Sequence, residues 1–313
     1  MNYKPILIIS GEPNSIFLEI FFKSLKFRKY RSPLILICCK KNLIKQMKVL
    51  NYKKKLRLLD SINPTKNKLD NKMINLINVE FKKNKTNNYI KRCFKIAFTL
   101  IKNNISKKLI NGPINKNNFL KKKYLGITEY ISNKFNKKKF AMLIYNKNLS
   151  VCPLTTHLPL SLVSKNISKK LINEKIHVID NFYKKNFGFR PKVGITGLNP
   201  HCESILKFNE DSKIILSAIK SLKNKRYKVD GPFPADTIFL KKNRKIYDVI
   251  LGMYHDQVLT PFKTLFEYDA INITIGLPFL RVTPDHGPNQ KMVGKNLSNP
   301  KSLLKALTFL DQK

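Results

Sequence analysis

No apolar run in this chain reaches the roughly 20 residues that a bilayer-crossing helix needs, so no helical membrane anchor is expected. The apolar stretch after Met1-Asn2-Tyr3-Lys4 ends at Gly11 and is too brief for the core of a secretory signal, which points to the cytoplasm. Cysteine is scarce. The five present form no Cys-x-x-Cys, and an odd count excludes a complete disulfide framework, so reduced thiols are expected. Cys202 adjoins His201, but thiolate ligands come in sets, and it reads as a small side chain beside a site. A Gly-x-Gly-x-x-Gly loop is also missing after the first apolar run, which argues against an ordinary Rossmann site and means that any dinucleotide is held differently. Acidic residues are few, 19 against 61 Lys plus Arg, for a formal charge of +42. Composition alone would suggest nucleic acid or an anionic membrane. The lysines are scattered among asparagines and isoleucines, however, with no basic arm, zinc finger or zipper and no aromatic interleaving. A general compositional bias explains them, and neither a specific nucleic acid nor a membrane is expected as partner.

The 313 residues that are present suffice for a large core and two lobes. Ile6 to Ile9 reads as a strand, Ile16 to Leu25 as a helix, Leu34 to Cys38 as a second strand and Leu43 to Leu50 as a second helix. This alternation predicts an α/β fold with a largely parallel sheet. The polar, lysine-rich stretch 51–88 reads as variable surface structure with Val79-Glu80-Phe81 as its one strand fragment. Tyr89 to Asn103 has helical spacing, and Leu109-Ile110-Asn111-Gly112-Pro113 looks like a strand entering a ligand loop, where Lys116 is either a phosphate contact or a solvated lysine. Phe140 to Tyr145 and Leu149 to Leu154 fit a hairpin through Asn146-Lys147-Asn148. Helices are expected within Leu160 to Phe187, with His177 at the surface or core edge, from Ser212 to Leu222 before a Gly231-Pro232 turn, and from Lys301 to Leu310, the last packing back on the first lobe.

The chain is organised around Gly252 to Lys263, which contains Met253-Tyr254-His255-Asp256-Gln257 and follows an apolar run, Ile246 to Leu251, that reads as a buried strand. His255 therefore sits just past a carboxyl strand end, where open α/β sheets collect ligands. His201 follows Lys192 to Leu198 and His157 follows Leu149 to Leu154 in the same way. Three neutral imidazoles with open positions make a competent divalent-metal site, although a lone loop histidine is usually solvated or satisfied by a backbone carbonyl.

Thr155-Thr156-His157-Leu158-Pro159-Leu160, Gly197-Leu198-Asn199-Pro200-His201, Gly231-Pro232-Phe233-Pro234-Ala235-Asp236-Thr237, Met253-Tyr254-His255-Asp256-Gln257 and Asn272 to Phe279 resemble, in order, the signature segments of the 4-hydroxythreonine-4-phosphate dehydrogenase family. The likeness runs from Gly11-Glu12-Pro13 through Asn111-Gly112-Pro113 to Asp285-His286-Gly287. It implies a two-lobed α/β/α architecture resembling the isocitrate/isopropylmalate dehydrogenase-like fold, with the active site in the interlobe cleft. Residues 1–118 and 275–313 would form one lobe, and 119–274 the other, which carries most metal and substrate residues. It further implies NAD-dependent oxidation of 4-phosphohydroxy-L-threonine at C3, then decarboxylation to 3-amino-2-oxopropyl phosphate, in pyridoxal phosphate biosynthesis.

By the same resemblance a divalent ion, zinc, magnesium or cobalt, is held by His157, His201 and His255, one of them reaching across the interface of a homodimer with a shared active site. Thr128, Lys263, Asn272 and Arg281 are the implied substrate contacts. Asp236 and Lys263 are the available proton-handling groups, with Lys263 alternatively pairing substrate phosphate or carboxylate and Asp236 or Asp256 alternatively orienting a histidine. Arg281 offers a planar fork to phosphate. His286 is either a cofactor contact or part of a tight turn. The chain departs from the family at Gly126-Ile127-Thr128-Glu129, where Gly-His-Thr-Glu is usual, at Asn14-Ser15-Ile16-Phe17, where glycines are usual, and at Pro288. These changes leave two alternatives: a dehydrogenase of another four-carbon phosphorylated hydroxy acid, of threonate or erythronate 4-phosphate type, and a non-catalytic basic binding protein.

Overall fold

The computed structural model describes residues 3–66, 68–115, 119, 124, 126–203, 208–284 and 287–313. Lys116, Asp285 and His286 lie outside them. The strands are β1 (Ile6–Ile9), β2 (Leu34–Cys38), β3 (Leu56–Leu58), β4 (Ile74–Asn78), β5 (Lys108–Asn111), β6 (Ala141–Asn146), β7 (Leu149–Pro153), β8 (Val193–Thr196), β9 (Val229–Phe233), β10 (Val249–Gly252), β11 (Ile271–Ile275) and β12 (Leu280–Pro284). The chain divides into two compact units, Met1–Ile127 with Pro278–Lys313, and Thr128–Leu277. No helix among the described residues is long and apolar enough to cross a membrane.

Unit 1 carries strands in the order β3-β4-β2-β1-β5-β12, every pair parallel. Strands buried on both faces read as continuous branched runs, and β1 and β2 are Ile-Leu-Ile-Ile and Leu-Ile-Leu-Ile-Cys, wholly buried. The helices Phe17–Phe27, Thr86–Lys102 and Lys301–Asp311 each turn an apolar stripe to this unit's core, Phe17, Ile20 and Phe21 in the first and Leu303, Leu307 and Leu310 in the last. The carboxyl-terminal helix packs on β12 and on the helix Phe17–Phe27. Its Asp311 accepts the Arg31 and Ser32 backbone N–H groups at 3.2 and 2.7 Å, pinning the entry to β2. Gly11 and Gly112 bring the turns after β1 and β5 together; a Cβ at Gly11, where φ is +77°, would run into the Pro113 carbonyl.

Unit 2 has the order β11-β6-β7-β10-β8-β9. The β6–β7 hairpin and the β11–β6 pair are antiparallel, and β7, β10, β8 and β9 are parallel. The helix Lys169–Phe187 is capped by Ser168, whose Oγ accepts the Leu171 N–H at 3.2 Å, and ends on Gly188 in the left-handed conformation. His177 lies exposed on it, bonded through Nδ1 to the Tyr227 hydroxyl at 2.9 Å. The helix His255–Phe266 drives Val258 and Phe262 into a cluster with Val151, Ile250 and Ile238, which fixes its orientation on the sheet.

Three expectations need correction. The stretch 51–88 holds β3 and β4, whereas Val79–Phe81 is not a strand. Asn75 interrupts the apolar run of β4, yet it is 1 % exposed, and its amide donates to the Leu34 and Asp70 carbonyls at 3.1 and 2.8 Å. A buried, fully engaged asparagine looks like a surface residue in sequence. The run before His255 becomes a strand only at Val249, because Ile246 and Tyr247 are bonded back to Asn243 and Arg244. Gly231 and Pro232 lie within β9, where proline is tolerated because β9 ends this unit's strand order.

Tyr89, from the helix Thr86–Lys102, is 1 % exposed and ties two strand ends together: its hydroxyl accepts the Cys39 N–H at 3.1 Å and bonds Ser10 Oγ at 3.2 Å. Tyr89→Phe leaves the Cys39 N–H buried and unpaired, at a cost of about 1–3 kcal/mol. Urea unfolding should show a lower midpoint with an unchanged slope, and a wild-type midpoint would refute the role given to this hydroxyl.

Candidate functional site

The strand order sets the site. Because β10 returns between β7 and β8, the loops that follow β7, β10 and β8 emerge side by side at three parallel carboxyl ends, carrying His157, His255 and His201. Hydrogen bonds zip these loops together. Leu154 N donates to the Gly252 carbonyl at 2.7 Å, and Thr155 Oγ1 donates to the Met253 carbonyl at 2.8 Å. Gln257 joins the other pair: its Oε1 accepts from Thr196 Oγ1 at 2.8 Å and Met253 N at 2.7 Å, and its Nε2 donates to the Gly197 carbonyl at 2.8 Å.

The His157 and His255 rings lie 5.8 Å apart between centroids. Two imidazoles sharing one ion at about 2.0–2.1 Å per bond need a separation of that order. His255 opens its helix, with Nδ1 3.0 Å from Asp256 Oδ1, so Nε2 is the ring nitrogen that could face an ion. His201 is exposed and sits in a turn in which it and Cys202 both take the left-handed conformation, φ 54° and 63°. Two successive non-glycine residues there cost roughly 1–2 kcal/mol each. The fully buried Asp211 supports the turn, accepting the Leu198 and Asn199 N–H groups at 2.6 and 3.2 Å and the Asn199 amide at 2.8 Å. Burial, with the Asp211 carboxylate beside it, pushes the Cys202 thiol up, away from the thiolate a ligand requires. Among the described residues no three His, Cys, Asp or Glu side chains of the single chain gather tightly enough to hold an ion. The residues thus fit a divalent ion as an imidazole pair that takes a further donor from elsewhere.

Thr128 lies in the first turn of the helix Ile127–Lys134, its Oγ1 3.5 Å from Thr274 Oγ1, and Asn272 stands two residues earlier on β11, on the same face as Thr274. Next along that helix, Glu129 Oε1 accepts from Thr156 Oγ1 at 3.5 Å, linking it to the His157 loop, while Oε2 is buried with no hydrogen-bond partner among the described residues. Lys263 is half-buried two turns beyond His255, and desolvation holds its ammonium below the ordinary value of 10.5. Asp236 is exposed in the short helix Ala235–Ile238. Arg281 belongs to unit 1; it is 4 % exposed on β12, and its Nε donates to Asn111 Oδ1 at 2.9 Å.

The family described as "Pyridoxal phosphate biosynthetic protein PdxA" matches residues 30–310. The chain belongs to the PdxA family. It is 34 % identical over 312 residues to 4-hydroxythreonine-4-phosphate dehydrogenase of Sulfurihydrogenibium sp. (strain YO3AOP1), covering 96 % of each chain. The crystal structure of 4-hydroxythreonine-4-phosphate dehydrogenase from Klebsiella pneumoniae superposes with a TM-score of 0.85 at 27 % identity, covering 99 % of each chain. Isocitrate dehydrogenase from Methylococcus capsulatus, 10 % identical with a TM-score of 0.50 over 98 % of this chain and 84 % of that one, shares the fold. This PdxA-family chain is an oxidoreductase, a dehydrogenase of pyridoxal phosphate biosynthesis with a mixed α/β fold.

Gln257, Asp211 and Glu129 had no role in the sequence reading. Gln257 lay inside a motif that drew attention only to its histidine, and Asp211 is separated by more than a loop from the turn it supports. Gln257→Leu removes three buried hydrogen bonds that hold the His201 and His255 loops. It should weaken divalent-metal affinity about 10–100-fold, the usual effect of losing a group that orients ligands. Metal titration followed by calorimetry tests this, and an unchanged affinity would make the amide merely structural.

Proposed function

We propose that this PdxA-family enzyme oxidises the C3 hydroxyl of 4-hydroxythreonine 4-phosphate with NAD and decarboxylates the product to 3-amino-2-oxopropyl phosphate, as a cytoplasmic homodimer. The observation that carries the reading is the facing of His157 and His255 across the ends of adjacent strands. His157, His201 and His255 hold a divalent ion, zinc, magnesium or cobalt, with one imidazole coming from a second copy of the chain. When bound, the ion would supply positive charge at the substrate hydroxyl and NAD would supply a hydride acceptor for C3.

The chain's own groups do the rest. Lys263, with its ammonium disfavoured by burial, takes the hydroxyl proton on Nζ as the C3–H bond breaks, then returns a proton to C2 once the C1–C2 bond has broken and C1 has left as carbon dioxide. Thr128, from the first turn of its helix, and Asn272, on the β11 face that Thr274 shares, orient the substrate. Arg281, its guanidinium steadied by Asn111, contacts the phosphate. Asp236 is the second proton-handling candidate.

NADH formation by purified protein with 4-hydroxythreonine 4-phosphate, with and without a chelator, tests this reading. Threonate and erythronate 4-phosphates serve as rivals, because Ile127, 7 % exposed, can make no hydrogen bond with its side chain. Chelator-sensitive turnover of the amino acid is the expected result; preference for a rival would change the substrate, and no turnover of any would overturn the enzyme's proposed chemistry.

A further inference from the structure

Unit 1 holds a cavity of about 960 Å³ that none of the proposed catalytic groups lines. It opens at the carboxyl ends of β1, β2, β4 and β5, over the turn Glu12–Asn14, over Asn115, and over the first turns of the helices Lys40–Val49 and Thr86–Lys102. From β1 the chain lays β2 and β4 to one side and then places β5 on the other, so the strand order reverses between β1 and β5. Open α/β sheets bind ligands at that reversal. Glu12 and Asn115 sit on it, the Asn115 N–H donating to Glu12 Oε1 at 2.9 Å. The volume lies at the top of the roughly 300–1,000 Å³ usual for small-molecule and cofactor sites, far more than a single phosphate needs.

The lining is specific in its chemistry. Lys45, Lys85 and Lys91 face it against one carboxylate, that of Glu12. The 17-residue helix that starts on its wall has no acidic residue in its first turn and no side-chain cap, so its N–H groups add to the positive potential. Side-chain amides from Gln46, Asn87 and Asn88 offer paired donors and acceptors of the kind that match the edge of adenine. Phe81, set edge-on to Tyr89 at 5.4 Å, supplies an aromatic wall on which a base can stack.

We infer that this cavity binds an adenosine diphosphate moiety, with the lysines on the diphosphate and the amides and Phe81 on adenine. On the NAD reading above, it holds that half of the dinucleotide in place of the glycine-rich loop that the chain lacks. The same chemistry would accept free adenine nucleotide, and the experiment separates the two.

Full-length protein is titrated with ADP-ribose by calorimetry, and KM for NAD is measured in the oxidation assay. The double variant Lys85→Glu/Lys91→Glu should weaken ADP-ribose binding and raise KM for NAD by about tenfold or more, since charge-assisted bonds to phosphate are the strong ones. Lys137→Glu/Lys138→Glu makes the same charge change on an exposed loop of unit 2 and should leave both values unmoved. Equal weakening by the two variants would mean general attraction to a basic protein and would overturn the inference. NAD turnover with a KM indifferent to Lys85 and Lys91 would overturn it while leaving the dehydrogenase reading intact. ADP-ribose binding that depends on those lysines, in a wild-type protein that reduces no NAD, would support the cavity, identify a free nucleotide as its occupant and reject the NAD reading.

Discussion

Replacing His255 with alanine should lower kcat about a thousandfold and abolish stoichiometric metal binding, because losing a Lewis acid at the reacting oxygen forfeits several kcal/mol of charge stabilisation. Folding should be nearly indifferent. The His255 side chain is about one-third exposed, 34 %, and among the described residues its hydrogen-bond partner is the carboxylate of Asp256, itself 79 % exposed. Substitutions at such positions shift stability by about 0.5 kcal/mol or less. His177→Ala is the control, since that imidazole lies on the outside of the helix Lys169–Phe187 and, among the described residues, bonds Tyr227 and Asn181. Metal content per chain and turnover are measured on both variants. Wild-type rates in His255→Ala would eliminate the metal site; equal losses in both would show that the effect is not local.

Lys263→Met should reduce kcat by about 10²–10⁴, the range for a general acid–base group. The pH profile gives the sign. Burial disfavours the ammonium, so the Lys263 pKa falls below 10.5 and a larger share of the amine is neutral at any given pH. A reaction that needs the neutral amine speeds up as pH rises through this lowered pKa, and kcat/KM should carry an ascending limb that disappears in Lys263→Met. Lys263→Arg separates the two roles open to this residue. A guanidinium stays protonated, so arginine restores nothing if Lys263 moves a proton and restores most activity if it only pairs with phosphate or carboxylate.

Much of this was legible one residue type at a time. The wholly apolar runs of β1 and β2 announce strands buried on both faces, and the histidines after β7, β8 and β10 stand out because so few histidines are present. Asn75 hid β4, since an asparagine that is buried and satisfied cannot be told from an exposed one without knowing its partners. Gln257 and Asp211 escaped for the same reason: each acts through hydrogen bonds that reach another segment, Gln257 to Thr196 Oγ1 and the Gly197 carbonyl and Asp211 to the Leu198 N–H, and neither its type nor its spacing records those partners.

Local patterning by itself therefore determined the α/β class, the hairpin and the positions of the three histidine loops past their strands, whereas the family was reached through the resemblance of whole signature segments. Local patterning is enough there because side-chain periodicity and strand-end chemistry act over a few residues. Only the tertiary structure decided that β10 returns between β7 and β8. That non-local choice puts the His157 and His255 rings 5.8 Å apart and sets Gln257 between two loops, while in unit 1 it is the placement of β5 on the far side of β1 that reverses the strand order beside the lysine-lined cavity. Strand order depends on how separate apolar faces pack against one another, a property of pairs of segments that no single segment contains.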